Sequence, residues 1–220
     1  SPSIESYCGY EPEELTGLPI KSICPDISQY DILLRDLYNS HVVKDYEIKL
    51  KRYDGTPIDC LVTVTTKKDE HGKTTGYHGI ARDVTQIKKA EETIRHMAYY
   101  DALTDLPNRV LFKDRLGMAM AGALRSGKNV AVMMLDLDKF KQVNDVLGHD
   151  VGDLLLKAVS RRLEKALRKN DTVARMGGDE FMVILPEVSA LDDAMIVARK
   201  IVETFQMPFD LNGHNLSVTT

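Results

Sequence analysis

Hydrophobic positions in the first third of the chain recur at every second residue. In "DYEIKLKRYDG" Tyr46, Ile48 and Leu50 alternate with charged neighbours before an Asp54-Gly55 turn. In "TPIDCLVTVTTKKDEHGK" Ile58, Cys60, Val62 and Val64 repeat the pattern before His71-Gly72. With "TTGYHGIARDVT" as a third run, this period of two and its turn residues predict an antiparallel meander. Ahead of it, "YEPEELTGLP" and "ISQYDILLRDLYNS" read as short helices.

The period then changes. In "QIKKAEETIRHMAYYD" the apolar residues Ile87, Ala90, Ile94 and Met97 fall at alternating steps of three and four, with Lys88, Lys89, Glu91 and Glu92 between them. That is about two heptads of an amphipathic helix. Such a stripe either packs on its own domain or forms a short parallel coiled coil joining two copies of the chain.

Beyond it helices and strands alternate, an α/β pattern with helices covering a sheet. "NRVLFKDRLGMAMAGALRSGKN" predicts a helix capped by Asn108 and stopped at Gly127. "VAVMMLDLD" is an unbroken apolar run of strand length, as expected of a strand buried on both faces. "DVGDLLLKAVSRRLEKALRKN" predicts an amphipathic helix from about Asp150, and "TVARMGGDEFMVILP" a hairpin. "SALDDAMIVARKIVETF" reads as a helix with Ser189 as N-cap and Asp192 at its third position, close to a capping box. "NLSVTT" opens a last strand.

Composition narrows the classes. The 220 residues are 43% hydrophobic, enough for ordinary cores in one or two domains. A net charge of −4, from 29 basic and 33 acidic side chains, argues against a nucleic-acid partner, which would want a basic surface. Cys8, Cys24 and Cys60 sit in no CxxC or Cys/His metal spacing and fit reduced thiols in the cytoplasm. No apolar stretch has the length of a membrane span. The chain opens on Ser1 rather than methionine, so it reads as a fragment whose missing ends could attach it to a membrane.

Candidate chemistry collects in the second half. The apolar strand ends on Asp136 and Asp138, at the edge where α/β sheets bind ligands, and alternation puts both on one face if the strand persists that far. The hairpin tip adds Gly177, Gly178, Asp179 and Glu180. Adjacent acids repel and strand glycines weaken pairing, so the tip suits a site where a cation must approach the backbone closely. Carboxylate oxygens fit Mg²⁺ or Mn²⁺, with no His/Cys set competing for zinc. Two such ions could activate an attacking hydroxyl and stabilise a leaving pyrophosphate, and the glycines would let a nucleotide lie against the backbone without a Cβ clash. The plain alternative is a solvated acidic turn.

Two resemblances bear on this. Residues 1–85, with "GYEPEELTGLP" ahead of strands ending in "ARDVT", resemble a PAS sensor domain. Such domains normally begin with two further strands, so the resemblance implies an incomplete sheet, and no residue pattern specifies a ligand. His41 lies where some PAS domains hold haem; a surface or core role is the alternative. Residues 86–98 would be the linker helix. From residue 99 to 220 "GGDEF" at 177–181, "DALTDLPNR" at 101–109, "DLDKFKQVNDVLGHDVGD" at 136–153 and "RKND" at 168–171 resemble, in order and spacing, a GGDEF-domain diguanylate cyclase. The implied architecture is an α+β PAS-like antiparallel-sheet domain, a linker helix and an α/β polymerase-palm-like GGDEF domain lacking its C-terminal part.

That resemblance implies condensation of two GTP molecules into cyclic di-GMP with release of two pyrophosphates, by a homodimer formed through the PAS domain and linker helix. Asp136 and the Leu137 carbonyl would ligate metal. Asp179 would be ligand and candidate base near the attacking 3′-hydroxyl, and Glu180 a second carboxylate ligand. Phe140 and Lys141 would wrap the β- and γ-phosphates, while Asn144 and Asp153 would read guanine. Arg168 and Asp171, the latter six residues before Gly177, match the family's RxxD site for feedback inhibition by cyclic di-GMP. The resemblance also admits a non-catalytic GTP-binding domain that regulates a downstream EAL phosphodiesterase domain.

Each residue has a plainer role to weigh. Asn144 could cap a turn before Asp145, Asp153 could be a first-turn acid favoured by its helix dipole, and Lys139 and Lys141 could be a solvated pair. His149 reads as a packed or capping histidine rather than a ligand. "RKND" could be an ordinary charged helix end.

Overall fold

In the computed structural model, residues 8–211 and 213–220 are described, so the first seven residues of the expected PAS region lie outside them. The chain divides into two units, Ser1–Thr93 and Ile94–Thr220. In the first, α1 (Pro12–Leu15) and a 3-10 turn (Ile20–Ile23) precede α2 (Ile27–Ser40). The strands β1 (Val42–Lys51), β2 (Pro57–Lys68) and β3 (Thr74–Asp83) follow, antiparallel and in the order β1-β2-β3.

The meander has the expected inward face. Ile48 pairs with Cys60 and Leu50 with Ile58, all four buried, and Leu33 and Leu37 of α2 join the same cluster. His41 ends α2 as an exposed left-handed C-cap whose carbonyl accepts from the Thr66 N–H, a backbone role.

Asp83, at the end of β3, accepts from Arg52 Nη2 at 3.0 Å and from the Thr85 N–H at 2.9 Å, starting helix α3 (Thr85–Tyr99). Burial alone would push the Asp83 pKa up. The bonds from Thr85 and Arg52 outweigh it and hold the carboxyl below its ordinary value. Lys88, one turn into α3, reaches Glu47 Oε2 at 2.5 Å. The stripe Ile87, Ala90, Ile94 and Met97 is exposed, and α3 buries no residue. Among the described residues nothing buries the stripe, and the nearby strands hold the helix by polar contacts along its first turn.

The second unit is built on an antiparallel sheet of order β4-β6-β5, from β4 (Asn129–Asp136), β5 (Thr172–Gly177) and β6 (Glu180–Val188). Helix α4 (Arg109–Ser126) covers one face through Phe112 and its neighbours, against Ala174 and Ile184. On the other face α6 (His149–Ala166) and α7 (Leu191–Phe205) bury Leu155, Leu163 and Ile201 against Leu135, Phe181 and Val183. Between β4 and α6 lies α5 (Phe140–Leu147), and after α7 a small hairpin, β7 (Phe209–Leu211) with β8 (His214–Leu216).

Asn108 caps α4 as expected, accepting from the Val110 and Leu111 N–H groups, and Gly127 closes it at a φ of 70°. Several details differ from expectation. Strand β4 is not buried on both faces: Val132 and Met134, which share the α4 face with Ile184 and Met182, are 45% and 70% exposed, and among the described residues β4 pairs only with β6. The N-cap of α7 is Ala190 rather than Ser189. Asp193, not Asp192, turns back to accept from the Ser189 and Ala190 N–H groups, and because Ala190 has no side-chain acceptor only this half of the capping box forms. The strand opening at "NLSVTT" starts at His214 and ends at Leu216.

Candidate functional site

The register of β4 against β6 builds the acidic edge. Asp136, the last residue of β4, lies directly opposite Glu180, the first of β6, and the next pair inward is Leu135 with Phe181. Opposite residues share a sheet face and neighbours along a strand alternate. Phe181 is therefore fully buried while Glu180 and Asp136 are exposed. The turn between β5 and β6 consists of Gly178 and Asp179, with Gly177 paired to Glu180. Gly177 has a φ of 143° and Gly178 of 53°, and neither would meet another atom if given a Cβ. Backbone conformation, not crowding, requires glycine here. Asp179 is half-buried.

A residue without a role in the motif reading holds this turn. Arg175 of β5 donates from Nε and Nη2 to the Gly178 carbonyl at 2.9 and 2.7 Å, and from Nη1 to Asp101 Oδ1 at 2.9 Å. Asp101 Oδ1 also accepts from the backbone and hydroxyl of Thr104, at 2.9 and 2.6 Å. Burial would push the Asp101 pKa up, but the bonds from Thr104 and Arg175 dominate and hold it below the ordinary value. The Arg175 N–H donates to the Pro107 carbonyl at 3.0 Å. "DALTDLPNR" thus braces the hairpin tip. A charged residue in a strand with buried neighbours, Thr172 to Ala174, was the available sign.

The chain leaves the strand at Asp136, so Asp138 is not on β4 and does not share its face by alternation. The Asp138 N–H donates to the Thr219 carbonyl at 3.0 Å, and its carboxylate accepts the Thr219 hydroxyl at 2.5 Å. Leu137 is buried, and its carbonyl accepts from the Phe140 N–H at 3.3 Å, leaving one lone pair. Lys139 adopts a left-handed φ of 60°, turning the chain into α5, whose first two residues are half-buried Phe140 and exposed Lys141.

Asn144 is inside α5 and caps no turn before Asp145. Asp153 is the fifth residue of α6, beyond the first turn, which holds Asp150 instead. The helix dipole therefore accounts for Asp150 and not Asp153. His149 is exposed at the first helical position, and the capping position belongs to Gly148, so it neither packs nor caps. Gly152, buried on α6, has the Asn144 side chain lying over its Cα. Arg168 and Asp171 form a closed loop, each backbone N–H bonded to the other residue, at 2.9 and 3.0 Å. They border a cleft of 970 Å³ shared with Arg115, Lys128 and Ile196.

The donor chemistry at the acidic edge fits a hard divalent cation: carboxylates from Asp136, Asp179 and Glu180 with a free carbonyl lone pair at Leu137. Among the described residues no three Asp, Glu, His or Cys side chains form a ready-made metal cage. Mg²⁺ needs none, since one or two carboxylates, waters and substrate phosphates suffice.

A family model described as "Diguanylate cyclase, GGDEF domain" matches residues 98–220. The chain belongs to the GGDEF-domain diguanylate cyclase family. A PAS-domain model matches residues 1–86, so the order is PAS followed by GGDEF. The signaling protein YkoW of Bacillus subtilis is 42% identical over 138 residues, which are 62% of this chain and 17% of YkoW. The GGDEF domain of TpbB from Pseudomonas aeruginosa superposes with a TM-score of 0.53 at 40% identity, covering 55% of this chain and 70% of that one. The coiled coil and GGDEF domain of DgcB from Caulobacter crescentus, solved with c-di-GMP, gives a TM-score of 0.55 at 29% identity, covering 62% and 73%. The chain spans 17–20% of the length of the first curated relatives it matches. Among the described residues no helix is long and apolar enough to cross a membrane.

Proposed function

We propose that the GGDEF domain condenses two GTP molecules into cyclic di-GMP, releasing two pyrophosphates, with each subunit of a homodimer holding one GTP. The observation that carries this reading is the Asp136–Glu180 register beside the Gly178-Asp179 turn, which gathers carboxylates from two strands at one edge of the sheet. Asp136, Asp179, Glu180 and the Leu137 carbonyl would hold Mg²⁺ or Mn²⁺. When bound, the metal would polarise the α-phosphate and neutralise charge on the leaving pyrophosphate. Asp179, half-buried at the turn, takes the proton from the attacking 3′-hydroxyl as the new phosphodiester bond forms. Gly177 and Gly178 let the triphosphate approach the backbone, with Lys141 as counter-charge and Phe140 shaping the loop beside it.

Asn144 and Asp153 read the base. An amide serves the purine N3 and exocyclic amine, and a carboxylate accepts from N1–H and that amine, which favours guanine over adenine. Arg168 and Asp171 take cyclic di-GMP as feedback inhibitor; a guanidinium forking onto guanine or phosphate suits the cleft beside them. Pairing of two copies through the PAS domain and the 86–98 linker helix would bring the half-sites together, and the exposed apolar stripe on α3 supports it. The test is incubation of the protein with GTP and Mg²⁺, followed by chromatography. Formation of cyclic di-GMP is expected; tight GTP binding with no product would replace catalysis by nucleotide sensing.

A further inference from the structure

Gly152 sits inside α6, is buried, and has no positive φ, so its backbone does not require glycine. Glycine there weakens the helix relative to alanine. Space supplies the reason. A methyl group built on Gly152 would overlap Asn144 Oδ1, with Asn144 Cγ at 3.0 Å and Phe140 Cζ at 3.4 Å. The ring contact is close to ordinary van der Waals distance; the carboxamide contact is not. Asn144 has only two side-chain torsions, so a methyl group would push its amide off this position.

We infer that Gly152 is a positioning residue for base selection: its bare Cα is the seat on which the Asn144 carboxamide rests, one residue from Asp153. The inference rests on the guanine-reading role proposed for Asn144. Any side chain on Gly152 would turn the amide away from the base while leaving Asp153 and the acidic edge in place, so the loss falls on the preference for GTP over ATP.

The test compares the full chain with Gly152→Ala, Asn144→Ala and the double variant. GTP and ATP binding with Mg²⁺ are measured by calorimetry, and thermal stability without nucleotide. Gly152→Ala is expected to weaken GTP binding about tenfold, the size of one lost hydrogen bond, and to weaken ATP binding less, since adenine keeps N3 but lacks the exocyclic amine that Asn144 would accept from. In the Asn144→Ala background the same substitution should leave GTP binding unchanged. Its effect on stability should also change sign, lowering the melting temperature when Asn144 is present and raising it when Asn144 is absent. Wild-type GTP binding by Gly152→Ala, when Asn144→Ala is weakened, overturns the role of Gly152 alone. Wild-type binding by Asn144→Ala overturns the guanine-reading role and this inference with it. Strictly additive effects on both binding and stability would also overturn the inference.

Discussion

Arg175 Nη1 lies 2.9 Å from Asp101 Oδ1, and the same guanidinium grips the Gly178 carbonyl, joining the hairpin tip to a segment 74 residues earlier. The pair is mostly shielded, with side chains 11% and 23% exposed. Asp101→Asn should cost about 1–3 kcal/mol at pH 7, read by urea denaturation. Because the folded carboxyl titrates below its unfolded value of about 3.9, its stabilisation is present above that pH and is lost as pH falls through the folded pKa. Wild type and variant should therefore converge in acid. A gap that stays constant down to pH 2 would contradict the ion pair's role.

Asp179 is half-buried in the turn, outside the hydrophobic clusters. Asp179→Asn should reduce cyclic di-GMP formation by about 10²-fold or more, the scale of a general base, and change stability by less than about 0.5 kcal/mol. Product formed at the wild-type rate would remove Asp179 from the chemistry.

Burial, reinforced by Asp83, Cys8 and Asp59, pushes the Cys60 thiol up to about 12. The native thiol should resist iodoacetamide at pH 9, where an unfolded cysteine near 8.5 reacts readily. This group's contribution to stability is complete below the unfolded value and is lost as pH rises from about 8.5 toward 12. Mass spectrometry of labelled peptides checks the first point, and equal labelling before and after denaturation would refute it.

Arg162 of α6 donates to the carbonyls of Thr204, Met207 and Pro208, and its guanidinium carbon stands 3.5 Å from the centroid of the Phe209 ring. It ties the end of α7 and the start of β7 to α6. Arg162→Ala should lower stability by about 2–3 kcal/mol, seen as a shift of the denaturation midpoint. A midpoint within experimental error of wild type would show the contacts to be idle.

Ile94 and Met97 are 66% and 67% exposed on α3. If the stripe joins two copies, Ile94→Glu should shift the sedimentation coefficient toward that of a monomer and reduce cyclic di-GMP formation in parallel. A wild-type chain that sediments as a monomer at tens of micromolar would remove the proposed interface.

Much of this architecture was legible in the residues because single-element rules decide it. Alternation fixed the inward face of β1 and β2, and Asn108 and Gly127 marked both ends of α4. What escaped depended on partners distant in sequence. The apolar run of β4 suggested burial on both faces, but an edge strand and a central one read alike when their neighbours are unknown. Arg175 acquires its role only once Asp101 and Gly178 are brought together, and Gly152 only once α5 packs on α6. For the acidic edge, "GGDEF" announced a tight turn, but the partnership of Asp136 with Glu180 is a matter of strand register.

Over 131–136 and 180–185, where the pairing is regular, that register makes length, more than composition, the quantity the two strands cannot vary. The one irregularity lies at the far end, between Asn129 and Ala131. Slipping one strand by a single residue would exchange Glu180 for Phe181 opposite Asp136, driving a carboxylate into the apolar layer and a phenyl ring into water. One-residue insertions or deletions within 131–136 or 180–185 should therefore be lethal to the fold. A conservative exchange such as Met133 for leucine should pass almost unnoticed.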